Sequence, residues 1–130
     1  MGLALRPESP SRVLVVEDNS LIALDAEESF RALGVASVDV AASSGQALAL
    51  LDRTAPDFAL LDFNLGGETS EPVARALERR GIPFAFASGY SEVEAMTARF
   101  ARMVAILLKP YRKADLESLL RKLVPKRRRA

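Results

Sequence analysis

The hydrophobic pattern of this chain changes its period repeatedly along its length. Short continuous apolar runs, typical of strands covered on both faces, alternate with stretches in which apolar residues recur every three or four positions, as on one face of a helix. The predicted strands cover residues 12–17, 37–41, 57–62, 82–88 and 104–109. The predicted helices cover residues 20–34, 43–55, 70–81, 91–102 and 112–124. Because the fourth of these helices has only a thin apolar stripe, we expect it to be loosely held.

Glycine and proline residues mark several predicted helix ends. Gly34 and Gly81 follow the last apolar positions of the first and third helices, where glycine commonly ends a helix. Pro72 stands in the first turn of the third helix, and Pro125 marks the expected end of the fifth. Five strand–helix alternations predict an α/β fold, a doubly wound, five-stranded parallel sheet of flavodoxin-like order 2-1-3-4-5 with helices on both faces. The second strand is more polar, which favours a position near an edge.

Length and charge indicate one domain with a polar segment at each end. The chain has 130 residues, 49% of them hydrophobic, and we divide it into a flexible leader (1–11), a domain (12–124) and a basic tail (125–130). Residues 121–130 carry six positive charges and no acid. Such a run can attract nucleic acid or an acidic partner, but one this short is more commonly a solvated chain end. The leader contains no long apolar segment, so we expect no signal peptide or membrane span and a cytoplasmic protein.

The chain contains neither cysteine nor histidine. This excludes disulfides, thiolate metal sites and a cysteine nucleophile. It also excludes the side chain that most often acts as a general base and that carries phosphate in signalling kinases. Any phosphoryl chemistry in this protein would therefore depend on carboxylates, hydroxyls and lysine.

Polar residues follow four of the predicted strands at their carboxyl ends. They are Glu17 and Asp18 after the first strand, Asp62 at the end of the third, Ser88 at the end of the fourth and Lys109 at the end of the fifth. Each has an ordinary explanation by itself: the first two acids could belong to a helix N-cap, and Asp62 could form a turn. In an open parallel sheet, however, these strand ends meet at one edge, where ligands bind. Three acids that meet there would repel one another unless a cation is bound.

The residue types in this group indicate a particular chemistry. Carboxylates without histidine or cysteine form a hard oxygen site that suits Mg²⁺, with Mn²⁺ as an alternative. A lysine can neutralise phosphate charge, and a hydroxyl can donate a hydrogen bond to a phosphoryl oxygen. A carboxylate can itself act as the nucleophile and form an acyl phosphate. The group therefore predicts phosphoryl transfer to an aspartate.

Four spaced motifs, VVEDN, LLDFNLGGE, FASGY and LLKPY, together resemble the receiver domain of bacterial two-component response regulators. The resemblance extends from about Arg12 to Val124. It implies that Asp62 is the phosphoacceptor. It also implies that Asp18 binds Mg²⁺ directly and that Glu17 helps through water.

The same resemblance assigns roles to the remaining motif residues. The backbone carbonyl of Asn64 would bind the metal, and the Ser88 hydroxyl would hydrogen-bond to the phosphoryl group. Lys109 would pair with the phosphate, and its peptide bond to Pro110 would be cis. Glycines at positions 66 and 67 would let the loop after Asp62 pass close to the site without Cβ clashes.

Two positions depart from the common receiver pattern. Ile106 stands where many receivers have an aromatic residue that reports phosphorylation, and Gly66 stands where many have proline. With FASGY at 86–90, these departures resemble a subgroup of single-domain regulators with a Phe-Ala-Thr-Gly-Tyr motif, the FAT GUY family, in which the fourth helix is thought to be mobile. The resemblance implies histidine kinases of the HWE or a related class as partners, often in stress signalling. Tyr90 and Tyr111 are candidates for the role of the missing aromatic residue.

These observations predict a stand-alone response regulator that accepts a phosphoryl group from a histidine kinase on Asp62. The chain stops soon after the fifth helix, so we expect output through protein contacts or by acting as a phosphate sink. The expected recipient surface consists of the fourth helix, fifth strand and fifth helix. We expect no enzymatic activity beyond the protein's own phosphorylation and dephosphorylation.

Three alternatives remain at this stage. A pseudo-receiver would keep the fold as an interaction module without phosphorylation. A nucleic-acid-binding protein acting through residues 121–130 would lack a recognition helix and interleaved aromatics, so this reading is not favoured. A small phosphatase or nucleotide enzyme would lack a phosphate-binding loop of the Walker type.

Overall fold

Five parallel strands form one sheet in the order β2-β1-β3-β4-β5. The computed structural model describes residues 10–89 and 100–129, with side chains of the last helix described through Leu123. The strands are β1 (Arg12–Val16), β2 (Ser37–Ala41), β3 (Phe58–Asp62), β4 (Phe84–Ser88) and β5 (Met103–Leu108). The described helices are α1 (Ser20–Ala32), α2 (Ser44–Leu51), α3 (Glu71–Arg80) and α4 (Lys113–Arg129), the last corresponding to the fifth predicted helix. The predicted fold class and strand order are confirmed.

Alternate residues of the central strands face the two layers of helices. In β1, Leu14 and Val16 pack in one core cluster with residues of α2 and α3. Val13 and Val15 pack in a second cluster with residues of α1 and α4. Both faces of the sheet are therefore covered, which explains why β1, β3 and β4 are nearly continuous apolar runs in the sequence. The more polar β2 lies at an edge, as its composition predicted.

Several predicted boundaries shift for local reasons. The strand predicted from residue 82 begins at Phe84, because Pro83 has no N–H to donate to the sheet. The second predicted helix, 43–55, is shorter and ends at Leu51; the Leu50 carbonyl then accepts hydrogen bonds from both the backbone N–H (2.8 Å) and the hydroxyl (2.9 Å) of Thr54. The third helix begins with Pro72 in its first turn and ends at Gly81 in the left-handed conformation, both as predicted.

The expected end of the last helix at Pro125 is wrong. α4 continues to Arg129. A proline removes one backbone donor and disfavours the preceding turn, but this cost does not require a helix to stop. Most of the segment assigned as a basic tail is therefore helical.

The predicted helix over 91–102 lies largely outside the described residues, which omit 90–99. The expectation that this helix is loosely held therefore stays a prediction. Phe100 lies in the described part and contacts Phe84 and Phe86, with ring centroids 5.6 and 6.0 Å apart. In the part of the chain that the structure describes, no helix combines the length and apolar character needed to span a membrane.

Candidate functional site

The three acids found in the sequence meet at one edge of the sheet. β1 and β3 are hydrogen-bonded neighbours, with Val16 opposite Leu61, so the residues that follow them leave the sheet side by side. The carboxylates of Glu17, Asp18 and Asp62 each offer one oxygen, and these oxygens lie within 4.8 Å of one another. Glu17 and Asp62 are buried, whereas Asp18 is exposed.

The helix N-cap explanation for the first two acids does not hold. Asn19 is the N-cap of α1, and its side-chain oxygen accepts hydrogen bonds from the backbone N–H groups of Leu21 and Ile22. The Asn19 backbone N–H donates to Glu17 Oε2 at 3.0 Å and so fixes one oxygen of that carboxylate. Sequence reasoning missed Asn19, although an Asn directly before an apolar helix is a recognisable capping signal.

The acidic cluster fits a hard divalent cation. The other Glu17 oxygen, Oε1, is buried and accepts no hydrogen bond, so it is available as a ligand. Around an octahedral Mg²⁺ with bonds of about 2.1 Å, adjacent ligand oxygens lie about 3 Å apart and opposite ones about 4.2 Å apart. The three carboxylates need only small adjustments to reach this geometry.

Lys109 supplies positive charge to the same site. Its Nζ lies 3.0 Å from Asp62 Oδ2 and 3.7 Å from Glu17 Oε1. The backbone N–H of Lys109 donates to the Ser88 carbonyl at 3.0 Å, which joins the ends of β4 and β5. The peptide bond from Lys109 to Pro110 is cis, as the resemblance implied.

The site raises the pKa of buried Glu17 and of half-buried Lys109. Burial raises the pKa of Glu17 to about 7, the hydrogen bond from Asn19 opposes this rise, and the charge of Asp62 adds to it. For Lys109, burial lowers the pKa, but the hydrogen bond to Asp62 and the nearby negative charges outweigh it, so the pKa lies above its ordinary value. The pocket therefore favours a bound proton or cation at Glu17 and keeps Lys109 charged.

Ser88 lies between the two sides of the site. It is fully buried at the end of β4, whose Ala87 pairs with Asp62 of β3. Its hydroxyl donates to the Gly89 carbonyl at 3.0 Å. Ser88 therefore places a hydroxyl at the end of β4. This strand lies between β3, which ends at Asp62, and β5, which leads to Lys109.

The loop after Asp62 passes directly over Asp18. A Cβ built on Gly66 would lie 3.0 Å from Asp18 Oδ2, and the residue has a positive φ of 69°. Gly67 also has a positive φ, 108°, but a Cβ there would meet nothing within 4 Å. The close approach expected for both glycines therefore applies to Gly66 alone. Asn64 is exposed, and its side-chain oxygen accepts from the Gly66 N–H at 3.1 Å.

Of the two tyrosines expected to replace the missing aromatic residue, Tyr111 lies in the described part of the chain. Tyr90 lies outside the described residues. Tyr111 is half-buried against the α1–α4 side of the core, and burial, with the charges of Glu17 and Asp62, raises its pKa. Ile106 is half-buried on the opposite side of the sheet.

Comparison with known proteins assigns the family. A model described as the response regulator receiver domain matches residues 13–121 of this chain. The chain belongs to this family. It is a receiver domain of a two-component response regulator that acts in signal transduction. Its acidic triad is typical of the Mg²⁺ site of receivers.

Several proteins resemble this receiver over most of its length. The solution structure of SdrG from Sphingomonas melonis Fr1 is 37% identical, with a TM-score of 0.73, and the match covers 92% of this chain and 97% of SdrG. The PhyR stress response regulator is 27% identical, with a TM-score of 0.74, over 88% of this chain and 45% of PhyR. The transcriptional regulatory protein PdtaR of Mycobacterium tuberculosis H37Rv is 29% identical over 109 residues, 82% of this chain and 53% of PdtaR. This chain thus spans about half the length of PdtaR.

An apolar groove adjoins the receiver site and was not predicted from the sequence. It has a volume of about 490 Å³ and is lined by Leu21, Ile22, Asp25, Lys109, Pro110 and Tyr111. Leu21 is 77% exposed. The available signal was Leu21 in the first turn of α1, and a single leucine is common on protein surfaces.

Proposed function

We propose that this protein is a stand-alone response regulator that accepts a phosphoryl group from a histidine kinase on Asp62. The observation that carries the proposal is the placement of the Lys109 ammonium 3.0 Å from Asp62, beside three converging carboxylates. Asp62 is almost completely buried, yet it ends the strand at the edge where receivers bind phosphate. This arrangement supplies a nucleophile, a cation site and a phosphate-binding cation together.

Each side chain has a defined part in the transfer. An Asp62 carboxylate oxygen attacks phosphorus, and the bond from phosphorus to the kinase's imidazole nitrogen breaks, which leaves an acyl phosphate on Asp62. The Lys109 ammonium moves from the carboxylate to a phosphoryl oxygen, and the Ser88 hydroxyl donates a hydrogen bond to another. Both interactions position the phosphoryl group and offset its negative charge.

Carboxylates of Glu17, Asp18 and Asp62, with the backbone carbonyl of Asn64, would hold Mg²⁺, with Mn²⁺ as an alternative. The metal supplies positive charge that offsets the charge of the transferred phosphoryl group. Glu17 would contribute through its unbonded Oε1, either directly or through water. Asp18, which is exposed, would hold the metal from the solvent side of the site.

The groove beside Lys109 is a suitable contact for the kinase, because a phosphohistidine must approach Asp62 closely for the transfer to occur. Leu21 and Leu24 expose apolar surface on α1, and Tyr111 lines the same groove. The separate recipient surface expected from the sequence would consist of β5, the fifth predicted helix (α4) and the fourth predicted helix, which lies largely outside the described residues. Leu108, 46% exposed, offers apolar surface at the end of β5.

The finer subgroup is also a proposal. Phe86, Ala87, Ser88 and Gly89 form the end of β4 and the residue after it, and Ile106 replaces the common aromatic residue. Together with the similarity to SdrG and the PhyR stress response regulator, this supports membership of the FAT GUY subgroup, a kinase of the HWE or a related class, and a role in stress signalling. Output by protein contact or as a phosphate sink follows from the same proposal. The cytoplasmic location stays a prediction.

Intact-mass spectrometry after incubation with Mg²⁺ and acetyl phosphate tests the phosphoacceptor assignment. We expect one added phosphoryl group on the wild-type protein and none on Asp62→Asn, which keeps nearly the same volume. A phosphoryl group that persists on the Asn variant would overturn Asp62 as the acceptor. The same measurement with purified histidine kinases of the HWE class tests the partner.

The pseudo-receiver alternative makes the opposite prediction. A folded wild-type protein that binds Mg²⁺ but gains no phosphoryl group from either acetyl phosphate or a kinase would favour an interaction module over a phosphoacceptor.

A further inference from the structure

The loop between β3 and α3 is a narrow hairpin closed by backbone hydrogen bonds. Asn64 and Thr69 form an isolated antiparallel bridge. The Leu65 N–H donates to the Glu68 carbonyl at 2.8 Å, so the chain reverses tightly through the two glycines at the tip. Because a Cβ on Gly66 would lie 3.0 Å from Asp18 Oδ2, the position of the hairpin tip controls the space beside an acid of the proposed metal site.

Two hydrogen bonds attach this hairpin to the start of α2. The backbone N–H of Ser44 donates to Glu68 Oε2 at 3.2 Å. The Ser44 hydroxyl donates to the carbonyl of the next residue, Thr69, at 3.0 Å. Ser44 is buried, so its position is fixed by the packing of α2 and not by solvent contacts.

The contact with Glu68 also suits the electrostatics of α2. Ser44 is the first residue of this helix, and N–H groups in a first helical turn have no partner within the helix. α2 has no acid in its own first turn. The Glu68 carboxylate therefore supplies both a hydrogen-bond acceptor and a negative charge at the positive end of the helix, from a residue 24 positions away.

We propose that Glu68 is a positioning residue for the metal site: bound to Ser44, it holds the hairpin so that the Asn64 carbonyl and Gly66 stay in place beside Asp18. This inference rests on the proposed Mg²⁺ site. Glu68 itself is exposed and does not take part in the acidic cluster. Residues that orient metal ligands without touching the metal commonly change metal affinity about 10- to 100-fold when they are replaced.

Isothermal titration calorimetry with MgCl₂ tests this role on the full chain. We expect Glu68→Ala to weaken Mg²⁺ binding about tenfold. Glu68→Gln keeps an acceptor for the Ser44 N–H and should retain most of the affinity. Glu28→Ala is the matched control, because it removes an exposed acid from α1, away from the hairpin, and should leave affinity close to the wild-type value.

A second variant removes the other hydrogen bond between α2 and the hairpin. Ser44→Ala removes the bond to Thr69 and keeps the N–H that donates to Glu68, so we expect a smaller loss of Mg²⁺ affinity than for Glu68→Ala. Thermal unfolding of each variant in EDTA separates positioning from stability. A positioning role requires a loss of Mg²⁺ affinity at a temperature where the metal-free variant is still fully folded, because loss of the contact with α2 by itself lowers the melting temperature.

The outcomes distinguish this inference from the proposed function. Wild-type protein that binds Mg²⁺, with equal affinity in Glu68→Ala, would overturn the positioning role and leave the metal site standing. Failure of Glu68→Gln to restore affinity would also contradict it. Wild-type protein that binds no Mg²⁺ would overturn the proposed metal site and this inference together.

Discussion

Gly66 lies so close to Asp18 that a Cβ in its place would approach Asp18 Oδ2 to 3.0 Å. This close approach brings the hairpin after the phosphoacceptor candidate beside an acid that follows a different strand. It requires both a positive φ and the absence of a side chain, and glycine satisfies both conditions.

The first prediction concerns the two neighbouring glycines. Gly66→Ala should lower the free energy of unfolding by about 1–2 kcal/mol because of its left-handed backbone, and should weaken Mg²⁺ binding by displacing the Asp18 carboxylate. Gly67→Ala is the control: its φ of 108° lies farther from the left-handed region, so its stability loss should be at least as large, but nothing lies within 4 Å of its Cβ. Urea unfolding and Mg²⁺ calorimetry on both variants would show the difference. Equal Mg²⁺ affinities would mean that the contact with Asp18 has no effect on the site.

The second prediction concerns Lys109. Lys109→Ala removes the cation that faces the phosphoryl group, so the rate of phosphorylation by acetyl phosphate should fall about a hundredfold. Mg²⁺ affinity should not fall, because the substitution removes a positive charge beside the metal ligands. Lys113→Ala, an exposed lysine at the start of α4, serves as the control. A large loss of Mg²⁺ affinity in Lys109→Ala would contradict the assignment of this residue to phosphate.

The third prediction is a pH dependence caused by Glu17. Its pKa is raised from 4.5 to about 7 in the folded protein, so the folded state binds this proton more tightly than the unfolded state. The resulting stabilisation is fully present below about pH 4.5 and is lost as pH rises through about 7, amounting to at most about 3 kcal/mol. Because the chain has no histidine, no imidazole titration obscures this interval.

Urea unfolding in EDTA across this pH range measures the effect. Glu17→Gln cannot ionise and should flatten the dependence. Mg²⁺ competes with the proton at Glu17, so Mg²⁺ affinity of the wild-type protein should rise with pH up to about 7. A wild-type protein and a Gln variant with parallel stability curves would show that folding does not raise the pKa of Glu17.

The fourth prediction concerns the aromatic packing behind the site. Phe86 is fully buried and contacts Phe63, Phe84 and Phe100 with ring centroids 5.5–6.0 Å apart. Phe86→Ala should cost about 3–5 kcal/mol of unfolding free energy. Phe100→Ala should cost less, because Phe100 is only partly buried. Guanidinium unfolding of the two variants gives the comparison, and equal losses would indicate that burial of Phe86 is not what stabilises this side of the sheet.

The sequence by itself determined the fold and the residues that meet at the sheet edge. Alternating strand and helix periods leave a parallel sheet as the favoured solution, and in such a sheet the carboxyl ends of the strands share one edge. Glu17, Asp62 and Lys109 could therefore be placed near one another without coordinates. The ends of α3 could also be predicted from Pro72 and Gly81, because these residues act on the backbone within a few positions.

Only the tertiary structure decided distances and burial within the site. Nothing in the sequence distinguishes Glu17, which is buried with a raised pKa, from the adjacent Asp18, which is exposed. The hydrogen bond between Ser44 and Glu68 could not be predicted from the sequence either. The two residues are 24 positions apart, and only the packing of α2 beside the hairpin brings them together. The extension of α4 past Pro125 shows the same limit: a local cost to a helix can be read from the sequence, but whether the helix ends there depends on the rest of the fold.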